Sequence, residues 1–149
     1  MKIIKNKEIN HRPKVSVLIS TYNKEKFIGT TLDSVLKQTM NMKDFEVIVV
    51  DDCSTDQTFD IVSQKIEDFA NYKFVQLDAN SGTPAKPRNL SIELSKGKYI
   101  IFIDGDDWLP EDALKKLYTL LKTNKTDYAT GLTKYVHSDR IARSGVAAI

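Results

Sequence analysis

The 149-residue sequence has a single cysteine, which excludes a scaffold of internal disulfides and suits a reducing compartment. No apolar run approaches the ~18 residues of a membrane-spanning helix. The first residues, MKIIKNKEINHRPK, lack the apolar stretch of about 7–15 residues that marks a secretory signal. An excess of one charge is missing too. Lysine plus arginine number 22 against 20 aspartates and glutamates, leaving a net charge of +2, whereas nucleic-acid binders concentrate basic patches. No nucleic-acid partner is therefore expected. Histidine is limited to His11 and His137, both in weakly patterned segments, which argues against a catalytic histidine. Neither G-x-G-x-x-G nor G-x-x-x-x-G-K-[ST] occurs, so the dinucleotide fingerprint and the P-loop are absent. Secreted, disulfide-rich, disordered and integral-membrane classes fall away together.

What remains is a chain of one-domain length with 41% hydrophobic residues. Short apolar runs stand at 15–20 (VSVLIS), 45–50 (FEVIVV), 73–77 (KFVQL) and 98–103 (KYIIFI). Runs of this kind, bounded by polar turns, predict strands covered on both faces. Between them lie helical stripes. Phe27, Ile28, Thr31, Leu32, Val35 and Leu36 form one; Phe59, Val62, Ile66 and Phe69 form another. A short helix is expected over 87–95, opened by a proline, and Ala113, Leu114, Leu117 and Leu121 make the last stripe. The alternation, with a fifth strand expected near 127–130, predicts an α/β fold: a mostly parallel sheet flanked by helices. Residues 1–13 read as a flexible leader, 14–131 as the domain, and 132–149 as a segment the domain does not explain.

Ligands of open α/β sheets bind outside the carboxyl ends of the strands, and here those ends are polar. The first run ends in Thr21-Tyr22-Asn23, the second in Asp51-Asp52, the third in Asp78-Ala79-Asn80-Ser81-Gly82, and the fourth in Asp104-Gly105-Asp106-Asp107. Five aspartates from two strand ends are expected to face one crevice, where like charges need compensation. Hard divalent ions with oxygen ligands supply it. Magnesium or manganese takes one or two carboxylates and completes its shell with phosphate and water, so Asp104 and Asp106 are the candidate metal ligands. Gly105 between them permits a tight bend and close approach. Without a metal, the same stretch is an acidic loop whose Asp107 caps the next helix. Asp51 and Asp52 can accept from a nucleobase N–H or a ribose hydroxyl, or one of them can close an Asx-type turn. Arg88, at a short helix's start, suits a diphosphate. Cys53 sits among negative groups, which disfavour a reactive thiolate, so it reads as a small packed side chain. Trp108 can stack on a base or sugar, though such a residue more often packs the start of its helix.

In order along the chain, STYN, VDDCSTD, NSGTPAKPRN and IDGDD, each at a strand end, resemble the inverting family 2 glycosyltransferases with a GT-A fold. The likeness covers residues 13–130. The NSGTPAKPRN stretch further resembles the enzymes that attach N-acetylglucosamine to poly(ribitol phosphate) in the wall teichoic acid of Gram-positive bacteria. The resemblance implies a Rossmann-like GT-A domain that binds a nucleotide-diphospho-sugar, most often a UDP-sugar. It implies Thr21 and Tyr22 beside the base, Asp52 (or, less favoured, Asp51) on uracil or ribose, and Asn80 and Arg88 on the nucleotide's other side, with Asn23 and Gly105 also among the nucleotide-binding residues. Asp104 would reach the ribose or a metal-bound water, and Asp106 would ligate Mn²⁺ or Mg²⁺, which stabilises the leaving diphosphate.

One departure from the family stands out. Inversion needs a carboxylate base on the sugar face opposite the leaving group, and in the family that residue lies many tens of residues beyond the D-x-D. Past the last helix only Asp127 and Asp139 are acidic, and neither suits the role. The expectation is that the base lies beyond Ile149, that 132–149 begins a truncated acceptor-side region, and that this chain, the donor-binding half of a longer enzyme, transfers sugar poorly or not at all by itself. The implied partners are a UDP-sugar and a polysaccharide or teichoic acid acceptor. The implied setting is the cytoplasm, with the basic leader able to touch anionic lipid at the inner face of the plasma membrane. Two other classes compete: a noncatalytic nucleotide- or metal-binding module, and a metal-dependent phosphotransfer domain. The latter usually places its key aspartate after the first or third strand, unlike the pairs here.

Overall fold

A computed structural model describes the backbone of residues 1–137 and 140–148 and the side chains through residue 131. The four apolar runs become β2 (Val15–Thr21), β3 (Phe45–Asp51), β4 (Tyr72–Gln76) and β5 (Tyr99–Asp104). All four pair in parallel, in the order β4-β3-β2-β5. Every residue of β3 is buried, as a strand covered on both faces requires.

The helical stripes cover those faces. Helices α1 (Ile28–Leu36), α2 (Thr58–Lys65) and α4 (Ala113–Asn124) pack Leu32, Val62 and Leu114 on Val17, Val47, Val49 and Ile101. A 3₁₀ turn at Ile66–Asp68 continues the α2 stripe and brings Ile66 and Phe69 into the same core. Helix α3 (Ala85–Leu94) covers the opposite face, where Leu90 and Leu94 lie on Leu18, Ile48 and Val75. Each fully buried aliphatic side chain contributes about 1.5–3 kcal/mol relative to exposure. Pro87 falls in α3's first turn, where its missing N–H has no helical partner to lose.

The chain winds outward from β2 to β3 to β4, then crosses back to place β5 on the other side of β2. Such a reversal of winding leaves a crevice at the carboxyl ends of the central strands.

Two expectations change. Within the expected flexible leader, residues Lys2–Lys7 form a strand, β1, antiparallel to β4 at the sheet edge, with an irregularity between Ile3 and Lys5. Its lysine-rich sequence hides it from an apolar-run reading, yet charge is what keeps an exposed edge from pairing with other chains. The fifth strand expected near 127–130 instead begins at Thr130. It runs to His137 as β6 and pairs with β7 (Arg140–Ala148) in an antiparallel hairpin that forms its own sheet. Among the described residues, no helix is long and apolar enough to cross a membrane.

Candidate functional site

The carboxyl ends of β2, β3 and β5, with the start of α3, enclose a cavity of about 570 Å³. Thr21, Tyr22, Asp52, Asn80, Arg88, Asp104, Gly105 and Asp106 all line it, as the strand-end reading expects. Asn23 and Asp51 do not. Asp51 is fully buried, because parallel pairing sets it between Thr21 and Gln76 inside the sheet. Its carboxylate accepts from the Ser54 N–H (3.0 Å), from the Ser54 hydroxyl and from Gln76 Nε2 (2.9 Å). It therefore closes the turn after β3 and is not available to a ligand. Asn23 turns away in a left-handed conformation (φ 49°) that asparagine tolerates. Its Oδ1 accepts from the Thr55 N–H at 2.8 Å.

That bond belongs to a set joining the loops after β2 and β3. Asn23 N–H donates to Ser54 Oγ (2.9 Å), Lys24 N–H to Thr58 Oγ1 (2.7 Å), Glu25 N–H to Asp56 Oδ2 (3.2 Å), and Gln57 N–H to Glu25 Oε2 (3.0 Å). Burial pushes the Asp56 carboxyl up, but hydrogen bonds from Thr58 and Glu25 outweigh it and hold the group below its ordinary range. Cys53, beside this weave, is a partly buried free thiol with left-handed backbone (φ 63°).

Asp52 faces the cavity and organises its wall. Its carboxylate accepts from the Ser81 N–H (2.9 Å), Ser81 Oγ (2.8 Å) and Asn80 Nδ2 (3.2 Å), which fixes the Asn80-Ser81-Gly82 loop. Gly82 stands at φ 71°, a conformation that favours glycine. A carboxylate has about four lone-pair positions, so Asp52 keeps room for one more donor.

On the opposite wall, Arg88 Nη2 donates to Asp104 Oδ1 at 2.6 Å and Lys24 Nζ to Asp106 Oδ2 at 2.5 Å. The Asp104 and Asp106 side chains are 46% and 38% exposed. Burial lifts the Asp107 carboxyl above its usual value, and the charges of Asp106 and Asp104 add to this. Asp107 caps no helix; Asp112 holds the N-cap position of α4. Thr21 Oγ1 and Arg88 Nε are buried without a hydrogen-bond partner. Two unpartnered polar atoms in one cavity wall mark places where a polar ligand gains most. A Cβ on Gly105 would stand 2.7 Å from Thr21 Oγ1, so the glycine serves the approach of a neighbouring side chain. Lys24 is the site residue that sequence reasoning missed. It sits in a KEK run that reads as a solvated face, and its place just after the strand-end motif is the one signal it gives.

The carboxylates bear on the expected metal. Among the described residues, no three His, Cys, Asp or Glu side chains gather to hold an ion, so the predicted five-aspartate convergence does not form. Asp104 and Asp106, on the Asp-Gly-Asp turn, present hard oxygen ligands to the cavity. That set fits a magnesium or manganese ion that completes its shell with phosphate and water.

Comparison with known proteins places this geometry. The pattern described as Glycosyl transferase family 2 matches residues 16–144. A poly(ribitol-phosphate) beta-glucosyltransferase of Bacillus spizizenii is 39% identical over 131 residues, which cover 88% of this chain and 21% of that protein. The chain thus spans between about a sixth and about half the length of the curated relatives it matches. The fold superposes on Staphylococcus aureus TarS 1–349 in complex with UDP, with a TM-score of 0.80, 38% identity, and coverage of 87% of this chain and 38% of that one. The UDP-GlcNAc complex of the same fragment matches with the same TM-score and identity. The mannosyltransferase PcManGT of Pyrobaculum calidifontis, in complex with GDP-Man and Mn²⁺, matches with a TM-score of 0.60 and 28% identity over 74% of this chain and 32% of its own.

Proposed function

Because the chain belongs to glycosyl transferase family 2 and carries the GT-A fold, we propose that its crevice binds a UDP-sugar, UDP-N-acetylglucosamine foremost. On this reading it is the donor-side domain of an inverting, metal-dependent transfer to a cell-wall polymer of the poly(ribitol phosphate) type. One observation carries the reading: the cavity at the turn-back between β2 and β5 gathers Thr21, Tyr22, Asp52, Asn80, Arg88, Asp104 and Asp106, in a fold whose solved relatives hold UDP and UDP-GlcNAc.

Tyr22, 42% exposed, offers a ring to the base. Asp52 accepts from uracil or ribose with its remaining lone pair, and Asn80, fixed by Asp52, closes the nucleotide's far side. Arg88 lies in the first helical turn of α3, where guanidinium and helix dipole both favour a diphosphate. Asp104 and Asp106 would hold magnesium or manganese, which when bound stabilises charge on the leaving diphosphate. The acidic side chains lining the crevice are Asp52, Asp104 and Asp106, each already given a donor-side task. The reading therefore assigns no general base. In this setting the protein works on the cytoplasmic side, at the inner face of the plasma membrane where its polymer acceptor is made.

Titration calorimetry with UDP, GDP and ADP, each with and without Mn²⁺, tests the proposal. The expected result is preference for UDP, strengthened by Mn²⁺. Failure to bind any of the three overturns it.

A further inference from the structure

The crevice holds a cation whose placement is built with unusual care. Lys24 is fixed by its backbone: its N–H donates to Thr58 Oγ1, its carbonyl accepts from the N–H groups of Phe27 and Ile28 at 2.9 Å each, and Thr58 itself is fully buried. From there the side chain runs beside Gly105, where an added Cβ would lie 3.4 Å from Lys24 Cγ, an ordinary contact distance, and ends on Asp106. With Arg88 on Asp104, each carboxylate of the Asp-Gly-Asp turn carries its own counter-charge. A bare divalent cation arriving there meets two positive groups, whose charge opposes it. A diphosphate changes the balance, because its oxygens offer those groups another anion.

We infer that Lys24 is an exchangeable counter-ion. It holds Asp106 while the crevice lacks donor and passes to the diphosphate when nucleotide and metal enter, so the metal binds together with the nucleotide and not ahead of it. This rests on the donor-binding reading above. No covalent step is involved; one ion pair is traded for two.

The test is Mn²⁺ binding to the intact chain, followed by calorimetry and by the electron paramagnetic resonance signal of free Mn²⁺, with and without saturating UDP. For the native protein, Mn²⁺ alone binds at least about tenfold more weakly than Mn²⁺ with UDP. In Lys24→Met, Mn²⁺ alone binds about tenfold more tightly than to the native protein, since a unit charge within a few ångströms no longer opposes it, and the gain from UDP shrinks. Lys24→Arg keeps the native pattern. Lys24→Gln replaces the methionine variant if the latter does not fold. If UDP binds but loss of the Lys24 charge leaves affinity for Mn²⁺ alone unchanged or lower, the counter-ion inference falls and donor binding stands. If UDP does not bind the native protein, donor binding falls, and the exchange onto a diphosphate falls with it.

Discussion

At the end of β3, Asp51 and Asp52 are buried and held by neutral donors: amide N–H groups, hydroxyls and carboxamides. At the end of β5, Asp104 and Asp106 stand half-exposed and are held by cations. Neutral donors aimed from a packed loop fix a carboxylate for good, because leaving them unpaired in the interior is costly. A surface ion pair is weak, with a median near 0–1 kcal/mol, so a ligand can replace either member. The two acidic ends thus differ in kind: one is scaffold with a single ligand-facing edge, the other is ready for exchange.

Substitutions can break that comparison. The largest effect is expected from Asp51→Ala, which strips the Ser54 and Gln76 donors of their acceptor and should lower unfolding stability by about 3 kcal/mol. Urea denaturation checks this, and a stability equal to the native protein's would erase the distinction. Next comes Gly105→Ala. Its methyl group collides with Thr21 Oγ1, so overpacking should cost about 1–3 kcal/mol and UDP affinity should fall, both measurable by ligand-dependent thermal shift. Asp106→Ala sharpens the contrast from the other end. Stability should stay within about 0.5 kcal/mol of native while the Mn²⁺-dependent gain in UDP binding disappears; Asp52→Ala should instead weaken UDP with or without metal. The smallest effect is at Glu8, a partly exposed carboxylate paired with Lys96 and Lys73, whose hydrogen bonds, that of Lys96 first, hold it below its ordinary value. A lowered folded pKa contributes stability that is present above the unfolded value, near 4.5, and lost as pH falls through the folded one. Solvent screening limits this to under about 0.5 kcal/mol. Glu8→Gln should therefore lower stability at neutral pH by up to about that amount, leave it unchanged well below the folded value, and so flatten the acid limb slightly.

The parallel strands and their order of appearance are legible in the sequence because buried strands must be apolar throughout, and VSVLIS and FEVIVV say so directly. β1 is not, because KIIKNK covers an edge where charge is useful. The crevice is legible as a set of strand ends, but the division of labour within it is not. Asp51 and Asp52 are neighbours of the same type, and only the sheet register puts the first inside the ladder and the second past its end. Lys24 escapes for the reverse reason: its partner, Asp106, lies 82 residues away, and only the folded sheet brings the two together.

The stitching between residues 23–25 and 54–58 carries one further consequence. Amide protons on both segments are shared across the seam, so neither can open while the other stays shut. The two should exchange with deuterium as a single cooperative unit, and a nucleotide that steadies Tyr22 should slow exchange as far along the chain as Gln57.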